Sequence, residues 1–207
     1  SKVVWTLDVI DLGSGPALYC GGVANNAVDG VPKGNVMVWS GSAWQPVGDG
    51  LIGAGTTTAT VYALAAFDGG SGPRLYAGGA FASSGSGASL NHLARLEGGQ
   101  WQPVGGGVND TLGGNDSVTA LLSVPDDTSG QPSLYVGGVF NQAGAVATTC
   151  LARWSGNAWH AALLPGTGTG CIVRCIARLA PQPGSPARLY AAGVLNRTTG
   201  LFMAYQD

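Results

Sequence analysis

With 207 residues, a net charge of −2 and only 10 % charged side chains, the chain lacks the basic footprint of a nucleic-acid binder. No apolar run nears the ~18 residues of a membrane helix, and hydrophobic residues at 45 % argue against disorder and for one domain with a real core. Thirty-six glycines among abundant Val, Leu, Ala and Thr make the composition of an all-β protein with many tight turns.

The chain repeats itself. Val4-Trp5-Thr6-Leu7 opens a first unit. Val61-Tyr62-Ala63-Leu64, Val118-Thr119-Ala120-Leu121 and Val173-Arg174-Cys175-Ile176 open three more, at spacings of 57, 57 and 55 residues. The units span 1–57, 58–114, 115–170 and a shortened 171–207. Each opening run ends in a Gly, Pro, Asp and Ser cluster, such as Asp11 to Pro16 or Asp68 to Pro73, which predicts a hairpin. The second run carries Leu-Tyr and a glycine doublet: Gly21-Gly22, Gly78-Gly79 and Gly137-Gly138, then Ala192-Gly193 in the fourth unit. A loop rich in Ala, Gly, Ser and Asn leads to a third run at 36–39, 93–96 and 151–154. A four-residue turn leads on to a fourth run, opened by Trp44, Trp101 or Trp159. Trp39 with Trp44, and Trp154 with Trp159, stand five apart across that turn. This spacing flanks one hairpin with two rings, so Trp39, Trp44, Trp101, Trp154 and Trp159 read as structural. Four antiparallel strands per unit predict a β-propeller-like array of four-stranded blades, three full and one partial, in a single domain.

The pattern Leu-Tyr-x-Gly-Gly, Ala-Gly, Leu-Ala-Arg-Trp-x-Gly-x-x-Trp and Pro-Val-Gly covers nearly the whole chain. It resembles repeats of large secreted bacterial proteins, is similar to the β-propeller repeats of fungal cortical polarity markers, and looks like a looser relative of kelch repeats. The resemblance implies a propeller and leaves function open. The turn between third and fourth strands is similar to the Asp-box of sialidases, but Gly41, Gly98 and Gly156 stand where its aspartate belongs. Kelch folds include a copper oxidase, and the two histidines, His92 and His160, do not rebuild its site.

The fourth unit has first and second strands and a candidate third strand over 201–205, without a Trp-x-Pro-Val-Gly run. An unfinished sheet leaves unpaired backbone groups that proteins cover or pair. The array is then a piece of a longer one, a small closed ring with one defective blade, or a sheet completed by another subunit.

No cysteine pair has finger spacing. The third strand starts at the end of the array where the fourth hands over to the next unit, so Cys150 and Cys171 share a face and predict a disulfide. A Cys20–Cys175 bridge would clasp first unit to last. Either bridge implies an oxidising compartment. Few lysines and Asn-x-Ser/Thr matches at Asn109, Asn115 and Asn196 fit a secreted or cell-surface chain. The same loop face carries Asn109, Asp110, Asn115 and Asp116, which are binding candidates. Their side-chain oxygens would also suit a calcium ion, although the spacing matches no calcium loop. Asp8, Asp11, Asp68, Asp126 and Asp127 gather at the opposite end, where turn aspartates accept backbone N–H bonds. Arg95 and Arg153 share one position in the third strand, as if bonding a neighbouring blade. No catalytic triad or phosphate loop stands out.

The sequence therefore predicts an extracellular, non-catalytic structural module with no cofactor, assembling with itself through open blade edges or joined to the rest of a longer chain. A carbohydrate- or protein-binding adhesion domain is the alternative.

Overall fold

A computed structural model describes residues 2–24, 27–28, 31–32, 34–55, 57–113, 115–125, 131–162, 170–180, 182, 185–194 and 203–205. Asp126, Asp127 and Asn196 lie outside them. The protein is all-β, and its sheets follow the repeats. Lys2–Asp11, Pro16–Ala24, Val36–Trp39 and Trp44–Pro46 form the first sheet, each strand antiparallel to the one before. Thr60–Asp68, Pro73–Ala80, Leu93–Glu97 and Gln100–Pro103 form the second. Ser117–Val124, Ser133–Val139, Leu151–Ser155 and Ala158–Ala161 form the third. In the fourth, Ile172–Leu179, Arg188–Val194 and Met203–Tyr205 make three strands.

The hairpins close as the turn residues dictate. Asp11 Oδ1 accepts the N–H groups of Gly13 and Gly15 at 2.7 and 3.0 Å. Asp68 Oδ1 repeats the arrangement with Gly70 and Gly72 at 2.8 and 3.0 Å. These glycines take positive φ, between 88° and 103°, where a side chain would be strained.

Consecutive sheets stack on one another, the first strand of each packing against the first two strands of its predecessor. Each of the three junctions holds its own core. Val61, Leu64, Phe81 and Trp101 lie between sheets one and two. Val118, Val136, Phe140 and Trp159 lie between two and three, and Val173, Cys171 and Leu189 between three and four. Fully burying one valine contributes about 1.5–3 kcal/mol, so each junction is substantial. Two-residue ladders tie the loops as well: Leu51–Ile52 pairs with Ser83–Ser84, and Val108–Asn109 with Gln142–Ala143.

The glycine doublet has two separate duties. A Cβ at its first position would come within 2.4–2.6 Å of the valine side chain of the next sheet: Val61 at Gly21, Val118 at Gly78, Val173 at Gly137. A Cβ at its second position would meet a carbonyl oxygen of its own sheet at 1.9–2.0 Å, from Val3, Thr60, Ser117 and Ile172 in turn. The first glycine lets sheets approach one another; the second lets two strands of one sheet do so.

The tryptophans are structural in two ways. Trp39–Trp44 and Trp154–Trp159 are edge-to-face pairs, with centroids 5.5 and 5.1 Å apart. Trp101 and Trp159 also press on the Pro-Val-Gly turn of the preceding unit. A Cβ on Gly48 would meet Trp101 Nε1 at 2.4 Å, and Trp159 Nε1 donates to the Gly105 carbonyl at 2.9 Å.

Cys150 and Cys171 are bonded, with Cα atoms 6.0 Å apart. Cys20 and Cys175 are free, which corrects the expected clasp between first and last units. Cys20 is buried where Ala77, Val136 and Ala191 sit in the other sheets, a small-residue core position. Cys175 is exposed. Arg95 also departs from expectation. Its guanidinium bonds Glu97 of the same strand at 2.8 Å, and it lines a hollow with Trp154 and Asn157 of the next sheet.

Candidate functional site

Each opening strand breaks its ladder at one residue. The register shifts between Val4 and Thr6, Val61 and Ala63, Val118 and Ala120, and Val173 and Cys175. The residues skipped are Trp5, Tyr62, Thr119 and Arg174. A β-bulge leaves its extra residue unpaired and re-aims that side chain. All four line a single cleft of about 470 Å³, together with Asn115, Ser117, Val139 and Ile172. One residue from each sheet therefore meets the others at a common centre. The valine before each bulge is the same in every unit, whereas the bulge residue is Trp, Tyr, Thr or Arg. Packing dictates the first position and leaves the second free to carry chemistry.

The groups offered there are distinct. Trp5 is 58 % exposed, and its ring meets Tyr62 edge-to-face at 5.6 Å. Thr119 donates its hydroxyl to the Val173 carbonyl of the next sheet and is thereby used. Among the described residues the Arg174 guanidinium, the Asn115 amide and the Tyr62 hydroxyl have no partner. The cleft thus presents a cation, an amide, a phenol and an open indole face.

A second cavity of about 460 Å³ adjoins it through Tyr62, Asn115 and Ser117, and adds Thr57, Thr58, His92 and Asp116. His92 Nε2 stands 3.9 Å from Asp116 Oδ2. Burial holds the His92 imidazole below its ordinary pKa, against the opposing pull of Asp116 and of a main-chain hydrogen bond at Gly79. Such a pair suggests acid–base chemistry, but its place in the repeat says otherwise. His92 directly precedes the third strand of its sheet, as Asn35 and Cys150 do. Asp116 stands two residues before the junction valine, as Ala59 and Cys171 do. Asn35 Nδ2 donates to the Ala59 carbonyl at 3.0 Å, and Cys150 bonds Cys171. The same inter-sheet contact is thus an amide hydrogen bond, a His–Asp pair and a disulfide at successive junctions. His92 and Asp116 form a latch.

Of the loop-face candidates, Asn115 and Asp116 reach the cavities. Asn109 and Asp110 do not: the Asn109 carbonyl accepts Asn141 N–H at 3.0 Å, and Asp110 Oδ1 accepts Asn141 Nδ2 at 2.8 Å. Their oxygens stitch two loops. Among the described residues no three His, Cys, Asp or Glu side chains gather as metal ligands. Trp5, Tyr62 and Arg174 escaped sequence reasoning because each sits inside an ordinary-looking strand. The variable residue after a constant valine is the signal that marks them.

These features define an all-β repeat protein of stacked antiparallel sheets with one cleft where its opening strands converge. Set beside known protein families, curated proteins and solved structures, the chain matches none.

Proposed function

We propose that this is an extracellular, non-catalytic binding module of propeller type, whose ligand lies in the cleft ringed by the four bulge residues. The observation that carries the reading is the placement of Trp5, Tyr62, Thr119 and Arg174, one per sheet, around a single cavity. A volume of about 470 Å³ suits a small ligand or the end of a longer one. An unpaired guanidinium favours a carboxylate, which it bonds through two parallel N–H groups. The Asn115 amide and Tyr62 phenol suit hydroxyls, and the exposed Trp5 face suits a flat apolar side. An acidic sugar combines these features. The disulfide fits an oxidising compartment, and no helix of the described residues is long and apolar enough to cross a membrane.

Titrating the protein with glucuronate while following tryptophan fluorescence tests the reading, with glucose as the neutral control. Glucuronate is expected to bind more tightly, and Arg174→Gln to weaken it by roughly 10-fold or more, the worth of a charge-assisted hydrogen bond. Equal response to the two sugars, or an unaffected Arg174→Gln variant, refutes it.

A second reading, a structural module that joins further sheets, is favoured by the uncovered apolar face of the first sheet, where Val4, Leu7 and Val9 are 60–64 % exposed.

A further inference from the structure

From that second reading, and depending on it, we infer what covers the first sheet: a further repeat unit bearing glycine at the first position of its doublet and a Pro-Val-Gly turn, rather than the fourth unit of a second copy of this chain. Val61, Val118 and Val173 are fully buried, each seated on a glycine of the sheet before it, whereas the equivalent Val4 is 64 % exposed. Leu7 stands at 60 % where Leu64 is 6 %. On the same face Trp44 is 37 % exposed, while Trp101 and Trp159, seated on Gly48 and Gly105, are 0 % and 8 %. Two knobs of the first sheet therefore lack the two holes that their counterparts fill.

Three internal junctions specify those holes. At each, a Cβ on the doublet's first glycine would stand 2.4–2.6 Å from the incoming valine, so close that one of the two must shift, at the cost of overpacking. The fourth unit carries Ala192 at that position, so its Cβ obstructs Val4 in the register the molecule uses three times. Trp5 and Arg174 line one cleft, yet among the described residues no junction like the other three joins sheet one to sheet four. The missing cover is a sheet, and its chemistry is that of the units already present.

The test lengthens the full chain by placing an extra copy of residues 58–114 ahead of it, so that the copy's Gly78 and Gly105 face Val4 and Trp44. Hydrogen exchange over 2–11 and acrylamide quenching of tryptophan report whether the face is covered. Exchange over 117–124 checks that the rest is folded. The copy is expected to slow exchange over 2–11 by at least 10-fold and to reduce quenching, and a copy carrying Gly78→Ala to do neither. An alanine copy that protects as well removes the glycine requirement and overturns the inference while leaving the reading intact. No protection from either copy overturns both. Light scattering of the original chain completes the test: a 20.6 kDa particle at all concentrations is expected, and growth suppressed by Val4→Asp would make a second copy the occupant and overturn the inference.

Discussion

At the level of single residues, the doublet shows how a plain motif conceals two mechanisms. The sequence displays Gly-Gly after Leu-Tyr in three units, and its periodicity announces a structural constraint, but adjacent glycines look alike. Only the packing separates a neighbour that is the end of a side chain from one that is backbone. This difference predicts unequal costs. Gly78→Ala pushes a methyl against Val118 Cγ1 at 2.4 Å, and overpacking of this sort costs about 1–3 kcal/mol. Gly79→Ala meets the Thr60 carbonyl oxygen at 2.0 Å, which cannot turn away. Its loss in a urea titration should exceed that of Gly78→Ala, and Val118→Ala should restore part of the stability lost by Gly78→Ala and none of that lost by Gly79→Ala. Equal losses, or rescue of both, would contradict the division of roles.

At the level of strands and sheets, hairpins and strand order were legible because turn clusters and period-two runs are local signals. The Cys150–Cys171 bond was legible too, since strand direction alone puts the third strand's start beside the next unit's entry. The bulges were not, because Val-Trp-Thr-Leu reads as four ordinary strand residues and the shift appears only against its partner. Nor was the equivalence of Asn35, His92 and Cys150, three residue types that share no pattern. The His–Asp latch has its own pH signature. His92 is held below the ordinary histidine pKa of 6.5, so the folded chain refuses a proton that the unfolded chain accepts. Burial sets that shift and Asp116 opposes it, so the cost is that of enclosing the imidazole: stability is full above about pH 6.5 and is lost as pH falls below that value toward the lowered folded pKa. The urea midpoint should drop between pH 7.5 and 5.5, before carboxylates titrate. His92→Asn, which supplies an amide of the kind Asn35 uses and tolerates a φ of +72°, should flatten that drop. An unchanged slope in the variant would assign the pH dependence elsewhere.

For the whole molecule, four units packed each on the next make a repeat array in which each sheet depends on its neighbours. The count of units was legible from the repeat; the coverage of each was not. Val4, Val61 and Val118 are the same residue at the same place in the repeat, and what separates them is whether a sheet stands in front. One substitution therefore has two outcomes along one chain. Val118→Asp buries a carboxylate without a partner at a junction where the valine is fully enclosed, and should cost more than about 4 kcal/mol or prevent folding. Val61→Asp, equally enclosed, should do the same. Val4→Asp puts the charge on an open face and should stay within about 0.5 kcal/mol. Urea unfolding of the three variants, each at low and high protein concentration, reads the difference. A Val4→Asp loss comparable to that of Val61→Asp at low concentration would mean that the chain covers its own first sheet. A loss that appears only at high concentration would mean that another molecule does.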